Sequence, residues 1–158
     1  MVKKMDLPKR KTTRLSGYDY ASENYYFITI CAHEKACLFG TIKEKNFFGK
    51  IAEEELRGID AHYAGVRVDK AIVMPNHIHA IIAIGCDNQD QNYPSLNTIV
   101  GQYKAGVTRR IRQLAPQKEV WQRSYHDRII RNRAEYEKIW QYIDSNRQKW
   151  DADCFYVG

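Results

Sequence analysis

The sequence lacks several features that mark secreted and membrane proteins. Its 158 residues include four cysteines, Cys31, Cys37, Cys86 and Cys154, and no two of them form a C-x-x-C pair. This spacing gives no sign of a disulfide framework, so we expect reduced thiols in a cytoplasmic protein. The first fourteen residues contain no apolar segment, and we therefore expect neither a signal peptide nor a membrane anchor there.

The chain also lacks low-complexity runs, internal repeats and linkers. Its hydrophobic content of 44% suffices for a sizeable core, which predicts one globular domain over residues 18–158 behind a basic arm over residues 1–17. Lys and Arg number 25 against 19 Asp and Glu, for a net charge of +6. This net charge favours an anionic partner such as nucleic acid. For the basic arm, the alternative is a segment that only adds solubility.

Hydrophobic periodicity predicts seven secondary-structure elements. Strands are expected over residues 25–32, 66–74 and 77–84, with a short strand or extended run within 121–131; helices are expected over 46–62, 94–114 and 134–148. Their order indicates an α+β domain with a ferredoxin-like (split βαβ) antiparallel sheet. Helices would cover one face of this sheet, and a C-terminal helix would carry a tyrosine.

The second predicted helix has an apolar stripe and a basic face. The stripe comprises Leu96, Ile99, Val100, Tyr103, Val107, Ile111 and Leu114. Arg109 and Arg112 fall away from it, so both are predicted to face solvent, and Lys104 is assigned to the same exposed face.

His77 and His79 are the strongest chemical signal in the chain. On a strand, side chains at positions i and i+2 leave the same face, so the two imidazoles can converge on one metal ion. A pair of half-buried histidines without a ligand is the alternative. Cys86 follows at an odd offset from His79, which places it on the opposite face of a continued strand and disfavours a structural zinc site.

Three tyrosines are followed four residues later by an asparagine: Tyr20 by Asn24, Tyr93 by Asn97 and Tyr142 by Asn146. Only the last pair falls inside a predicted helix, where residues four apart share a face. Tyr142 and Asn146 are therefore candidates for a nucleophile and a metal ligand. The alternative is a tyrosine at the edge of the apolar stripe and an ordinary helix-end asparagine.

Four segments together resemble a known family: MPNHIHAII at 74–82, SLNTIVGQYKAGVTRRI at 95–111, VWQRSYHDRIIRN at 120–132 and YEKIWQYIDSNRQKWDADCFY at 136–156. They are similar to the HUH single-tyrosine transposases, in particular the REP-associated branch. The resemblance implies that His77, His79 and Asn146 hold a divalent metal, Mg²⁺ or Mn²⁺, and that Tyr142 is the nucleophile. This chain has Arg147 and Arg128 where relatives often have proline and histidine.

The resemblance implies a metal-dependent endonuclease and strand transferase that acts on single-stranded DNA at hairpins through a covalent 5′-phosphotyrosine intermediate. A non-catalytic, domesticated hairpin-binding protein is the main alternative. An RNA-binding module and a metal-dependent hydrolase are weaker ones, because the central strand lacks stacking aromatics and no carboxylate base accompanies the histidines. Monomer and homodimer are equally open.

Basic and aromatic side chains supply the candidate DNA contacts. A phosphate track is predicted from Arg14, Lys104, Arg109, Arg112, Arg123, Arg128, Arg131 and Arg133. Trp121 and Tyr125 can stack on unpaired bases, although core packing is the favoured interpretation of Trp121.

Overall fold

The computed structural model describes residues 24–87 and 92–150. The predicted basic arm with Arg14 lies outside these residues, as does Cys154. Along the described chain the elements are β1 Asn24–Cys31, α1 Phe47–His62, β2 Val66–Val73, β3 His77–Ile84, α2 Leu96–Leu114, β4 His126–Ile130 and α3 Arg133–Asp144. The predicted order of strands and helices is confirmed.

The four strands form one sheet in the order β2-β3-β1-β4. Every neighbouring pair is antiparallel, and β1 pairs with β3 along its whole length, from Asn24 opposite Ile84 to Cys31 opposite His77. This order, with α1 and α2 as crossovers, is the split βαβ arrangement. The predicted α+β fold is therefore confirmed.

Each of the three helices begins at a polar residue that caps it. The side chains of Asn46, Ser95 and Asn132 accept hydrogen bonds from the backbone amides three residues later. Such caps satisfy amides that have no partner inside the helix, and each stabilises its helix by about 1 kcal/mol. The sequence thus marks all three helix starts locally.

The sheet carries a different layer on each face. On one face, β-strand residues such as Ile28, Ile78 and Ile82 pack with α1 and α2 in the main core. On the other face, a smaller cluster joins Ile81 and Ile130 of the sheet to Ile139 and Ile143 of α3. Because strand side chains alternate between faces, α3 lies on the opposite side of the sheet from α1 and α2.

Three details of the helices correct the sequence-based predictions. Leu114 is 58% exposed rather than part of the core, and it is the last residue of α2. Lys104 is half-buried rather than solvent-facing, because its ammonium group donates to the carbonyl oxygens of Gln122 and Ser124. Helix α3 ends at Asp144, four residues earlier than predicted.

Cys31, Cys37 and Cys86 are free thiols. Within the described ranges, none of the helices has the length and apolar character needed to cross a bilayer.

Two glycines of α1 provide a matched test of this packing. A Cβ atom at Gly49 would lie 2.3 Å from the carbonyl oxygen of Phe39, whereas one at Gly58 would meet no atom within 4 Å. We expect Gly49→Ala to lower the free energy of unfolding by about 1–3 kcal/mol through overpacking. Gly58→Ala should raise it by up to about 1 kcal/mol, because alanine favours the helix. Urea unfolding measures both, and equal effects would contradict the packing.

Candidate active site

Strand β3 is the most enclosed strand of the sheet, with all eight of its residues buried. Ile78 and Ala80 face the main core, so the alternation of strand side chains turns His77 and His79 to the α3 face. The two rings are 0% and 1% exposed. The predicted placement of both histidines on one face is thus confirmed.

The two imidazoles approach each other through the same ring atom. Nε2 of His77 lies 3.0 Å from Nε2 of His79, with the ring centroids 4.5 Å apart. Two nitrogens bound at right angles to one ion, with bonds of about 2.1 Å, are separated by about this distance. The donor set therefore fits a shared cation, and without one the same spacing suits an N–H···N hydrogen bond.

Each histidine is oriented by a hydrogen bond at its other nitrogen. Nδ1 of His77 lies 2.7 Å from Oδ1 of Asn76, and Nδ1 of His79 lies 2.8 Å from Oγ1 of Thr29. All four side chains are buried. Metal-binding histidines characteristically use the outer nitrogen in this way, which fixes the ring and its tautomer.

Thr29 and Asn76 were missed from the sequence, although each carried a signal. Thr29 is the polar residue in the otherwise apolar run Tyr26–Cys31 of β1, and it pairs with His79 in the sheet register. Asn76 directly precedes the His-x-His motif, and its backbone carbonyl accepts a hydrogen bond from the amide of Ala32.

The Asn76 and Thr29 side chains differ in which histidine tautomers they permit. The Asn76 oxygen only accepts, so Nδ1 of His77 carries the proton and Nε2 presents its lone pair. The Thr29 hydroxyl can donate or accept. When it donates to His79, the Nε2 proton of that ring can bond to His77; when it accepts, both Nε2 atoms offer lone pairs to one cation. Rotation of the Thr29 hydroxyl therefore satisfies the hydrogen bonding of the histidine pair both with a bound cation and without one.

Burial also controls the charge of this pair. Desolvation, with the nearby imidazole of His77, holds the pKa of His79 well below its usual value. His79 therefore stays neutral near pH 7, which is the form that binds metal ions.

Tyr142 is the tyrosine that reaches the histidines. It lies in the last turn of α3, with its hydroxyl 3.5 Å from Nε2 of His79. Its ring packs edge-on against Phe27 and against His79, while 40% of the residue remains exposed. The hydroxyl consequently stands at the histidine pair in a position open to a substrate.

The prediction that Asn146 shares a helix with Tyr142 is wrong, because α3 ends before it. The Ser145 hydroxyl donates to the carbonyl of Gln141, and the amide of Asn146 bonds to the carbonyl of Ile143, so the chain tightens into successive turns. The Asn146 side chain is nonetheless buried. Beyond it, the Trp150 ring stacks on His77 with centroids 6.0 Å apart, so the segment folds back over the histidines.

Other tyrosine hydroxyls in the described chain have different partners. Tyr136 donates to Asp69 at 2.7 Å, and burial, together with that bond, raises the pKa of Tyr136 to about 12. Tyr103 donates to the carbonyl of Ala52, and burial raises its pKa well above the usual value. The hydroxyl of Tyr125 donates to Asn97.

The predicted DNA contacts fall on both sides of the sheet. Arg109 and Arg112 are exposed, as the helical register predicts, but they belong to α2, on the opposite side from Tyr142. Arg128 shares the face of Tyr142, since it pairs with Phe27 in the sheet. Arg123, Arg131 and Arg133 are also exposed.

Several of the predicted contacts are engaged within the protein. Arg128 pairs with Glu135, and Arg133 pairs with Glu137 at 3.0 Å. Trp121 packs on Phe39 and Tyr103, which supports its alternative role in the core.

Within residues 24–87 and 92–150, no cluster of three or more His, Cys, Asp or Glu side chains is arranged to hold a metal ion. A cation at the histidine pair must therefore draw on amide, phenol or substrate oxygens. The buried Asn146 side chain offers an amide oxygen of the type that Mg²⁺ and Mn²⁺ accept.

Comparisons with known proteins agree with this architecture. A family model described as "Transposase IS200 like" matches residues 20–146. An uncharacterized protein of Haemophilus influenzae is 36% identical over 168 aligned residues, which cover 94% of this chain and 93% of that protein.

Two solved structures share the fold at 17% sequence identity. A REP-associated tyrosine transposase bound to a REP hairpin superposes with a TM-score of 0.57, over 85% of this chain and 74% of that one. A Deinococcus radiodurans protein described as a candidate transposase gives a TM-score of 0.54, over 84% of this chain and 97% of that one. At this identity the likeness is one of fold.

Thr29 provides a test of the histidine pair as a cation site. Thr29→Val keeps the β-branched shape but removes the hydroxyl that orients His79, and we expect it to weaken Mn²⁺ binding roughly tenfold or more. Thr29→Ser keeps the hydroxyl and should retain most of the affinity. Calorimetric titration with Mn²⁺ measures both variants, and equal affinities in Thr29→Val and the wild type would contradict this role.

Proposed function

The chain belongs to the IS200-like transposase family, and we propose that it is a metal-dependent endonuclease and strand transferase for single-stranded DNA. It acts at DNA hairpins, through a covalent 5′-phosphotyrosine intermediate on Tyr142. His77, His79 and Asn146 hold the divalent ion, Mg²⁺ or Mn²⁺.

One observation carries the proposal: the Tyr142 hydroxyl lies 3.5 Å from Nε2 of His79, which is itself 3.0 Å from Nε2 of His77. A nucleophile and two neutral metal-binding nitrogens thus meet at one point. A protein that only binds DNA has no chemical need for this arrangement, which favours the enzyme over the domesticated hairpin-binding protein.

Tyr142 performs the exchange of phosphodiester bonds. Its oxygen bonds to the phosphorus and the bond from phosphorus to the 3′-oxygen breaks, so the DNA 5′-phosphate becomes attached to tyrosine. The leaving 3′-oxygen gains a proton, which balances the one lost by the phenol. Since one phosphodiester replaces another, no nucleotide cofactor is required. Attack by a second 3′-hydroxyl reverses the step and joins two strands.

The other residues of the site prepare this exchange. His77 and His79 present neutral nitrogens, so the ion they hold keeps its full charge for the phosphate. A divalent ion held by His77, His79 and Asn146 would polarise the phosphoryl oxygens and orient the diester. Asn76 and Thr29 hold the two rings in place from behind, and Phe27 supports the Tyr142 ring.

A DNA hairpin is the partner best supported by the comparisons. The structurally similar REP-associated transposase is bound to such a hairpin, and this chain has a net charge of +6. Phosphate contacts from exposed arginines suit a folded DNA strand without requiring a particular sequence.

The nucleophile can be tested with a pair of phenylalanine substitutions. Tyr142→Phe keeps the ring but removes the attacking oxygen, so we expect the covalent adduct and strand cleavage to disappear, while hairpin affinity stays within about twofold of the wild type. Tyr136→Phe, two turns earlier on α3, should keep the adduct. Mass spectrometry of trapped protein–DNA peptides measures the outcome, and an adduct on any other tyrosine would refute the assignment.

Salt dependence tests the character of the DNA contacts. Because phosphate contacts release counterions, we expect hairpin affinity to fall steeply between low and physiological salt, by about tenfold or more for several contacts. Fluorescence anisotropy at a series of salt concentrations gives the slope. A flat dependence would exclude the exposed arginines as the main contacts.

A further inference from the structure

A second cavity lies on the same side of the sheet as the active site, beside the first turn of α3. Its volume is about 590 Å³, within the range of about 300–1,000 Å³ typical of small-ligand sites. Tyr25, Arg67 and Asp69 from the sheet line it, together with Arg133 and Tyr136 from the start of α3 and Arg131 just before that helix. Tyr142 stands at the opposite end of the same helix.

Two tyrosines form an aromatic corner in this cavity. The ring of Tyr25 meets that of Tyr136 edge-on, with centroids 5.4 Å apart. Tyr136 is fixed by its hydrogen bond to Asp69, whereas Tyr25 remains 39% exposed. An exposed aromatic ring on a rigid strand provides a stacking surface for an unpaired base.

The charges around this corner favour an anion. Asp69 lies at a register shift in β2, and its carboxylate is engaged by both Arg67 and Tyr136. Arg131 and Arg133 are exposed. The ion pair of Arg133 with Glu137 is exposed on both sides, and a pair of this kind contributes little stability, so a phosphate can displace it.

The cavity lies within reach of a strand bound at the active site. Tyr25 precedes Thr29 by four residues on β1, a distance of about 14 Å at 3.4 Å per residue. Thr29 in turn bonds to His79. A stacked DNA strand advances about 3.4 Å per nucleotide and an unstacked one advances further, so roughly two to four nucleotides cover this distance.

We propose that this cavity binds one unpaired nucleotide of the DNA strand, with its base on Tyr25 and its phosphate at Arg131 and Arg133, roughly two to four nucleotides from the phosphate that Tyr142 attacks. The proposal rests on the proposed function, because the strand must pass the active site. It adds a contact outside the duplex, through which flanking single strand is recognised.

An abasic scan tests the base contact directly. The probes are a synthetic DNA hairpin with single-stranded flanks in which one nucleotide at a time lacks its base, and a plain single strand without a palindrome. Wild-type protein is expected to lose about tenfold in affinity when one particular flanking base is removed. Tyr25→Leu should bind the intact strand about tenfold more weakly than the wild type does. Removing the base at the sensitive position should not weaken the binding of this variant any further.

Matched variants separate stacking from structural damage. Tyr25→Phe keeps the ring and should retain the wild-type abasic profile. Phe47→Leu removes a ring that is 63% exposed on α1, in the opposite layer, and should change nothing. Arg131→Gln should reduce the salt slope by about one phosphate contact, while Arg57→Gln on α1 should not.

The outcomes distinguish this proposal from the proposed function. If the wild type cleaves hairpins but Tyr25→Leu shows the same abasic profile as the wild type, the cavity proposal alone is overturned. If the wild type binds neither the hairpin nor the plain strand, both fail. Competition by free deoxynucleoside monophosphates is expected to be absent, and Tyr25-dependent displacement by them would assign the cavity to a free nucleotide and overturn the strand contact.

Discussion

Two imidazole rings lie inside the most enclosed strand of the sheet, and the cost of burying them governs the arrangement around them. A buried polar group destabilises the fold unless it is hydrogen-bonded. The rings meet this requirement through each other, through Thr29 and through Asn76. Thr29 is available because β1 pairs with β3 in one register, and a slip of one residue would turn its side chain into the main core. The apolar pattern that fixes the register therefore also fixes the support of the site.

The helix that bears Tyr142 is attached more lightly than the rest of the fold. Helices α1 and α2 share the main core, whereas α3 buries only Ile139 and Ile143 among its described residues. Polar contacts complete its attachment, including the ion pair of Lys70 with Asp144 at 2.7 Å and the position of Lys70 over the Trp140 ring. Elements with few buried apolar contacts open at low free-energy cost. Such an attachment suits the role proposed for Tyr142, in which a DNA strand has to enter between its hydroxyl and the histidines.

Local patterns predicted most of the fold and the central part of the site. Alternation placed His77 and His79 on one face, and hydrophobic periodicity located each helix to within a few residues of its start. Features that depend on distant partners escaped prediction. Lys104 was predicted to face solvent because its partners, the carbonyl oxygens of Gln122 and Ser124, lie beyond the helix in sequence and are brought beside it only by the fold. Asn146 was placed on a helix because the apolar period was extended to residue 148, whereas its amide bonds to Ile143, three residues back, in a turn beyond the end of α3. The DNA contacts remain predictions, since charge alone does not tell a phosphate ligand from a solvated side chain.

The burial of the histidine pair also has an evolutionary consequence. Around His79, the same face of the sheet carries Phe27, Ile72 and Ile81, so an apolar side chain at position 79 would find apolar neighbours. Replacing buried polar groups with well-packed apolar ones is often neutral or stabilising, and functional residues commonly reduce stability. Under the proposed function, a lineage no longer selected for strand cleavage can therefore lose that chemistry without losing its fold. The exposed arginines lie outside this packing, so the proposed DNA-binding surface does not depend on the proposed chemistry.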